Sequence, residues 1–216
     1  MTVQELDASL ITVGKPVEGG ACWVCFDEKP TYPTDAVAKM ADLSYESVGE
    51  LSTDGFTEGT NVTSTDFEGW HGKTLLSEID KQTDTFKTQL LEVARATAAK
   101  VRYGKENVVE DPATGAYKEI TKGKINKDIV SLVFDELESN GCLSRTVVKR
   151  CKITNLDDVP HKRGELEFYG MTFTVLDATD GTGEPVKTYR AKPATGATGP
   201  EQTASNYSYP SDSEQE

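Results

Sequence analysis

The sequence has little positive charge for its length. It holds 36 aspartates and glutamates against 23 lysines and arginines, which gives a formal net charge of -13. This deficit argues against a protein that holds nucleic acid through its phosphates, because such proteins carry basic surfaces. An acidic surface also keeps many proteins soluble, so the charge alone does not specify a function.

The chain also lacks long apolar runs. None approaches the ~20 residues that a membrane-spanning helix needs, and residues 1–10 lack the basic and apolar regions of a secretory signal. We therefore expect a protein made and assembled in a cytoplasm, with no membrane partner. Four cysteines in 216 residues are too few for a disulfide framework, and reduced thiols are expected.

The cysteine pair Cys22-Trp-Val-Cys25 has the spacing of a redox couple or of half a zinc site. It lies in residues 21–27, an apolar run that predicts a buried strand, where residues three apart point to opposite faces. Cys142 and Cys151 do not have the spacing of a second zinc-binding pair. The sequence therefore favours cysteines that serve as small buried apolar groups.

The other candidate motifs for catalysis are incomplete. Residues 72–74, Gly-Lys-Thr, resemble the end of a phosphate-binding loop, but Phe67 replaces its first glycine and a strand is predicted to follow. His71 and His161 lie in polar loops without a partner at metal-ligand spacing. We predict a protein that is not an enzyme, with no catalytic residue, no metal site and no cofactor.

The alternation of apolar residues predicts a mainly β domain over residues 1–192, with one helix at 92–103 that ends at Gly104. From residue 193 the composition changes to small, polar and acidic residues. Residues 193–216 are therefore predicted to form a disordered acidic tail.

Residues 51–72 are polar, rich in glycine and threonine, and poor in apolar groups. They predict a long loop, and loops of this length usually carry function or are disordered. Two strands, 73–80 and 83–91, are predicted to follow as a hairpin that turns at Lys81-Gln82.

An ordered set of short motifs resembles the tail tube (major tail) proteins of long-tailed bacteriophages and related prophages. The motifs are Val13-Gly14-Lys15-Pro16, Gly19-Gly20, Pro33-Thr34-Asp35-Ala36, Tyr45, Glu50 to Gly55, Lys81 to Lys87 with Leu90-Leu91-Glu92, Tyr103-Gly104 and Glu165 to Val175. They keep their order over about residues 9–191. The cysteines and the acidic tail depart from the family pattern.

The resemblance implies two packed β-sheets, arranged like a sandwich or barrel, with one flanking α-helix. It also implies hexameric rings that stack into a hollow tube, through which DNA is ejected without specific binding. The implied partners are further copies of the chain and the tape-measure, tail terminator and baseplate proteins. The implied location is the virion tail, assembled in the cytoplasm of the bacterial host. The family has no catalytic residues to transfer.

Three acidic residues, Glu78, Asp80 and Asp84, are candidates for the lumen of such a tube or for its rim. Carboxylates there would not bind passing phosphates, so DNA could slide freely. The alternative is that they are ordinary solvated residues of a turn.

Three aromatic residues, Phe56, Phe67 and Trp70, are candidates for contacts between subunits, because buried aromatics carry much of the energy of an interface. We expect the 51–72 loop to pack against the next ring. The alternative is that Trp70 covers the core of its own subunit.

Two other functions remain open at this point. One is a monomeric β-sandwich module that binds carbohydrate or protein. The other is the tube protein of a contractile tail or injection machine.

Overall fold

The computed structural model describes residues 11–17 and 20–192, so the predicted acidic tail, residues 193–216, lies outside the described residues. The strands and the α-helix of the described part are β1 Gly14–Pro16, β2 Cys22–Cys25, β3 Glu46–Ser47, β4 Leu51–Glu68, β5 Thr74–Leu90, α1 Ala96–Tyr103, β6 Val108–Glu110, β7 Tyr117–Ile120, β8 Val130–Glu138, β9 Leu143–Leu156, β10 Tyr169–Val175 and β11 Val186–Ala191. The predicted class, mainly β with two sheets and one α-helix, is confirmed for these residues.

The larger sheet has nine strands in the order β3-β2-β8-β9-β10-β5-β4, with β1 paired to β8 and β11 paired to β9. Strand β9 organises it. One edge of β9 pairs with β8, while the other pairs first with β11 and then with β10. The smaller sheet is the hairpin β6–β7, which turns at residues 111–115.

Strand β8 is buried on both faces over residues 130–135. Leu132 and Phe134 lie in the larger core, and Val133 lies in a second core on the opposite face. In the larger core Phe134 stacks on Phe56 and Phe86, with ring centroids 4.3 and 5.6 Å apart. One core therefore packs against each face of the sheet at β8.

Helix α1 begins at Ala96, four residues later than predicted. Glu92 remains outside it because its carboxylate accepts the backbone N–H of Glu50 at 3.0 Å and also pairs with Arg95. Gly104 ends the helix with a φ of +93°, as predicted. Within the described residues, no helix has the length and apolarity needed to cross a membrane.

The predicted loop at residues 51–72 is wrong, because residues 51–68 form strand β4 and pair with β5. The predicted turn at Lys81-Gln82 is also wrong. The chain reverses at residues 69–73, where the N–H of Gly69 donates to the carbonyl of Lys73 at 2.8 Å. The threonines of β4 explain the strand, since β-branched residues favour extended backbone even where nothing apolar is buried.

Candidate assembly surface

The outer part of the β4–β5 hairpin projects from the rest of the protein. Residues 85–90 of β5 pair with β10, whereas residues 74–84 pair with β4 alone. We call residues 60–84 the arm and the remaining described residues the body. Nine residue pairs, from Thr60↔Asp84 to Glu68↔Thr74, run along the arm, which gives a length of roughly 30 Å.

The arm exposes large apolar side chains that the body does not cover. They are Val62, Phe67, Trp70, Leu75, Leu76 and Ile79. Trp70, in the turn, is 100% exposed, and Ile79 is 72% exposed. A concentration of apolar surface of this kind marks an interaction site.

Of the three predicted contact residues, Phe56 lies in the body and not on the arm, and its role as a subunit contact stays a prediction. It packs in the core of its own subunit, with its ring 4.3 Å from that of Phe134. The cause is an irregularity in β4, where Leu51 pairs with Leu90 but Phe56 pairs with Thr88, on the core side of β5.

Phe67 and Trp70 lie on the arm, and their role as subunit contacts stays a prediction. The alternative position for Trp70, covering its own core, is wrong because the side chain is fully exposed. Sequence reasoning missed Leu75, Leu76 and Ile79, although they stand in a predicted strand. Three exposed apolar residues in one short segment could have identified them.

The predicted acidic residues lie along β5 and not around a turn. The Thr60 hydroxyl donates to the Asp84 carboxylate at 2.8 Å, and the Thr65 hydroxyl donates to Asp80 at 2.6 Å. Glu78 is paired with Thr65 in the ladder. Glu78 and Asp80 are exposed, whereas Asp84 is half-buried.

The structure brings together only two of these three acids. Opposite Thr63 and Ser64, β5 contains the extra residue Asp80, which forms a β-bulge. Thr60 and Thr65 are five residues apart on β4 and therefore point to opposite faces. Asp84 lies on the face of Thr60, while Asp80 and Glu78 lie on the face of Thr65.

We call the face that carries Asp84 the first face of the arm and the other the second face. By register, the first face also holds Val62, Asp66, Glu68 and Ile79, and the second holds Phe67, Leu76, Glu78, Asp80 and Lys81. Each face combines apolar and charged groups.

Several strands of the larger sheet have an unpaired edge. Within residues 11–17 and 20–192, β1, β3, β4 and β11 each pair with one strand only. Along the arm the second edge of β5 is also free. An unpaired edge offers a row of N–H and C=O groups to a strand of another chain.

The cysteine pair is built into the cores. Cys22 lies in the larger core and Cys25 in the second, on opposite faces of β2 as predicted. Burial, together with the nearby carboxylate of Asp135, raises the pKa of the Cys22 thiol well above its usual range. A thiol held protonated in this way is a poor nucleophile and a poor metal ligand.

A cleft of about 890 Å³ lies between the 26–32 segment and the start of β8. Some of its charged groups have partners: Lys149 donates to Asp180 at 2.6 Å, and Asp128 accepts the backbone N–H of Lys105 at 2.6 Å. In the described part of the chain, no group of His, Cys, Asp or Glu side chains could hold a metal ion. The arm is therefore the more distinctive surface.

The mainly β body with open sheet edges and the projecting apolar arm offer surfaces of the kind through which structural proteins associate. The comparison with known families specifies which kind. The phage tail tube protein family matches residues 27–194, and the chain belongs to that family. Its members are structural components of the phage tail, so this chain is a structural tail tube protein.

Among solved structures, the chain is similar to one described as the cryo-EM structure of the anti-feeding prophage cap (AFP tube terminating cap). The two share 9% sequence identity with a TM-score of 0.39, over 88% of this chain and 100% of the other. None of the curated protein sequences matches this chain.

Proposed function

We propose that the protein closes into hexameric rings, and that the rings stack into the tube through which a phage ejects its DNA. The observation that carries the proposal is the arm, a two-stranded extension whose apolar groups have no cover within the subunit. An isolated two-stranded ribbon is marginally stable in water, which favours an arm that is completed by neighbouring copies.

The unpaired strand edges support closure within a ring. A cyclic arrangement pairs each open edge with a neighbour and leaves none exposed, which removes the aggregation hazard of a free edge. By family resemblance, the tube would enclose a tape-measure protein and end at terminator and baseplate proteins.

The lining of the tube is a separate part of the proposal. The chain carries a net charge of -13, and acidic groups along the lumen would repel phosphates and let DNA pass without adhesion. Glu78 and Asp80 share the second face of the arm, and Asp84 lies on the first.

Replacement of the outer arm tests the role of the arm. Residues 62–82 are exchanged for Asn-Gly, which closes a two-residue hairpin on the pair Asn61↔Thr83. We expect a folded protein that no longer forms tubes in negative-stain micrographs. A matched control, Val37→Ser, removes an apolar side chain of the body that is 57% exposed and should leave tubes intact.

Tubes of normal length from the arm-replaced variant would remove the arm from the assembly mechanism. A protein that stays monomeric at every concentration, with or without the arm, would instead favour the ligand-binding module. Circular dichroism and thermal unfolding establish that the variant is folded before either conclusion is drawn.

The lining is tested in intact particles. Glu78→Lys with Asp80→Lys alters the second face, and Asp84→Lys alters the first. If one face lines the lumen, only the corresponding variant should slow DNA ejection at low salt. Unchanged ejection in both variants would exclude these acids from the lining.

A further inference from the structure

The charge of the protein is unevenly distributed between the arm and one loop of the body. The arm carries five carboxylates and two lysines, with a net charge of -3. Residues 121–129, between β7 and β8, carry three lysines and one aspartate, with a net charge of +2. We call residues 121–129 the basic loop.

The acids of the arm lie mainly on its first face. Asp66, Glu68 and Asp84 are on that face, while Lys81 on the second face offsets one of the two charges of Glu78 and Asp80. Asp66 and Glu68 are exposed and form no ion pair or side-chain hydrogen bond within the described residues. The first face therefore presents two free carboxylates near the tip.

Apolar groups accompany these carboxylates. Val62 and Ile79 lie on the first face by register, and Ile79 is 72% exposed. The first face is thus an apolar strip with carboxylates beside it. A partner for it needs an apolar residue flanked by cations.

The basic loop has that composition. Ile125 is 82% exposed, and the exposed residues Lys124 and Lys127 stand on either side of it. Neither lysine forms an ion pair within the part of the chain that the structure describes. The cations of the loop are therefore available to carboxylates of another molecule.

The basic loop is held in place by its polar residues. The Asn126 side-chain amide donates to the carbonyl of Val101 at 2.7 Å, and Asp128 accepts the N–H of Lys105 at 2.6 Å. These bonds tie the loop to the C-terminal end of α1. The exposed lysines therefore project from an anchored support.

The arm and the basic loop extend in opposite directions along the sheet. Val130, where the loop joins β8, is level with Cys151 on β9 and Val175 on β10. Strand β5 is the neighbour of β10, and from this level the arm extends along the sheet towards the lower residue numbers of β5. The basic loop, which precedes Val130, extends along the sheet in the opposite direction.

The anchoring of α1 confirms this placement. Arg102, next to the Val101 carbonyl that holds Asn126, donates to the backbone carbonyls of Gly170 and Asp157. Gly170 pairs with Gln89, at the end of β5 that is remote from the arm. The basic loop and the arm therefore belong to opposite ends of the subunit.

We propose that the first face of the arm binds the basic loop of a second copy of this chain in the adjacent ring. A head-to-tail contact needs two different surfaces that are complementary and lie at opposite ends of the subunit, and these two satisfy both conditions. Asp66 and Glu68 face Lys124 and Lys127, and Ile79 packs near Ile125. The inference rests on the stacking of rings proposed above.

A charge exchange tests the contact. The arm variant is Asp66→Lys with Glu68→Lys, and the loop variant is Lys124→Glu with Lys127→Glu. Each alone places like charges together and should raise the concentration needed for tube formation by about tenfold or more at low salt. A chain that carries all four changes should assemble nearly as well as the original.

Two control variants have the same changes in charge at other sites. Glu78→Lys with Asp80→Lys alters the second face of the arm, and Lys15→Glu with Lys39→Glu alters exposed lysines of the body. Glu78→Lys with Asp80→Lys should not restore tube assembly to the loop variant. Likewise, Lys15→Glu with Lys39→Glu should not restore it to the arm variant. Rescue only in the four-site exchange distinguishes a specific contact from an effect of net charge.

The outcomes separate the two proposals. If the original protein forms tubes but the loop variant assembles equally well, or if the four-site chain is not rescued, the arm–loop contact is overturned and ring stacking stands. If the original protein forms no rings or tubes under any condition, the proposed function itself fails.

Discussion

Strand β5 passes through two different environments, a buried one in the body and an exposed one in the arm. In the body, Phe86 is fully buried and its ring lies 5.6 Å from that of Phe134. Seven residues earlier on the same strand, Ile79 is 72% exposed and is paired with Ser64 of β4. The body completes its own core, whereas the apolar side chains of the arm are uncovered within the subunit.

The two regions also differ in how their polar groups are satisfied. In the body, the buried Arg145 donates to Asp135 at 2.6 Å and to the Ala38 carbonyl at 2.8 Å, which fastens the 35–38 segment over the second core. In the arm, the Thr65 hydroxyl donates to Asp80, while Asp84 accepts from the Thr60 hydroxyl and the Gln82 amide, all at the exposed surface. Exposed hydrogen bonds of that kind contribute little stability.

The largest expected effect compares two positions on β5. Phe86→Ala should destabilise the monomer by about 3–5 kcal/mol, because it leaves a cavity in the aromatic stack. Ile79→Ala should change the free energy of unfolding by no more than about 0.5 kcal/mol, because the side chain is exposed. Denaturant unfolding at a concentration where the protein is monomeric measures both. Equal losses would mean that the arm folds onto the body in solution.

The second prediction concerns the buried ion pair of the body. Asp135→Ala should cost about 3 kcal/mol, because it leaves the Arg145 guanidinium buried without its carboxylate. The double variant Asp135→Ala with Arg145→Met should recover much of that loss in the same unfolding experiment. A single variant as stable as the original would show that water reaches Arg145.

The third prediction concerns assembly, for which substitutions in the arm should matter more than substitutions in the body. Phe67→Ser with Trp70→Ser should leave monomer stability nearly unchanged but weaken tube formation by about 2 kcal/mol or more, as expected for aromatic anchors of an interface. Sedimentation across a concentration series gives the assembly constant. The control Val109→Ser removes a half-exposed apolar group of the body and should have little effect. Undiminished assembly would exclude the two aromatics as anchors.

The smallest expected effect concerns pH. The Lys149 ammonium donates to Asp180 and lowers the pKa of that carboxyl well below its usual range. A group with a lowered folded-state pKa stabilises the protein above its unfolded pKa, near 3.9, and loses that contribution as the pH falls through the folded value. Asp180→Asn should therefore flatten the stability profile below about pH 4. If stability below about pH 4 depends on pH in the same way in the variant and in the original, the Lys149–Asp180 pair contributes nothing to stability.

Alternation predicted the body well, because there one subunit buries its own apolar face. Strand β2, the class of the fold and the glycine that ends α1 all follow from local pattern. The start of α1 did not follow, since it depends on the distant contact of Glu92 with the backbone of Glu50.

The arm was missed for the opposite reason. Residues 57–66 have no apolar alternation, because neither face is buried within the subunit, and their threonines were interpreted as loop residues. The bulge at Asp80 was equally invisible, although it decides that Asp80 and Asp84 lie on opposite faces. A strand whose burial occurs between copies does not show a burial pattern in one copy.

Amide hydrogen exchange of the arm, compared between dissociated protein and assembled tubes, tests the central claim most directly. The account predicts fast exchange over residues 60–84 in the monomer and strong protection in the tube, with the amides of β8 protected in both states. Equal exchange of the arm in the two states would contradict the claim that another copy completes it.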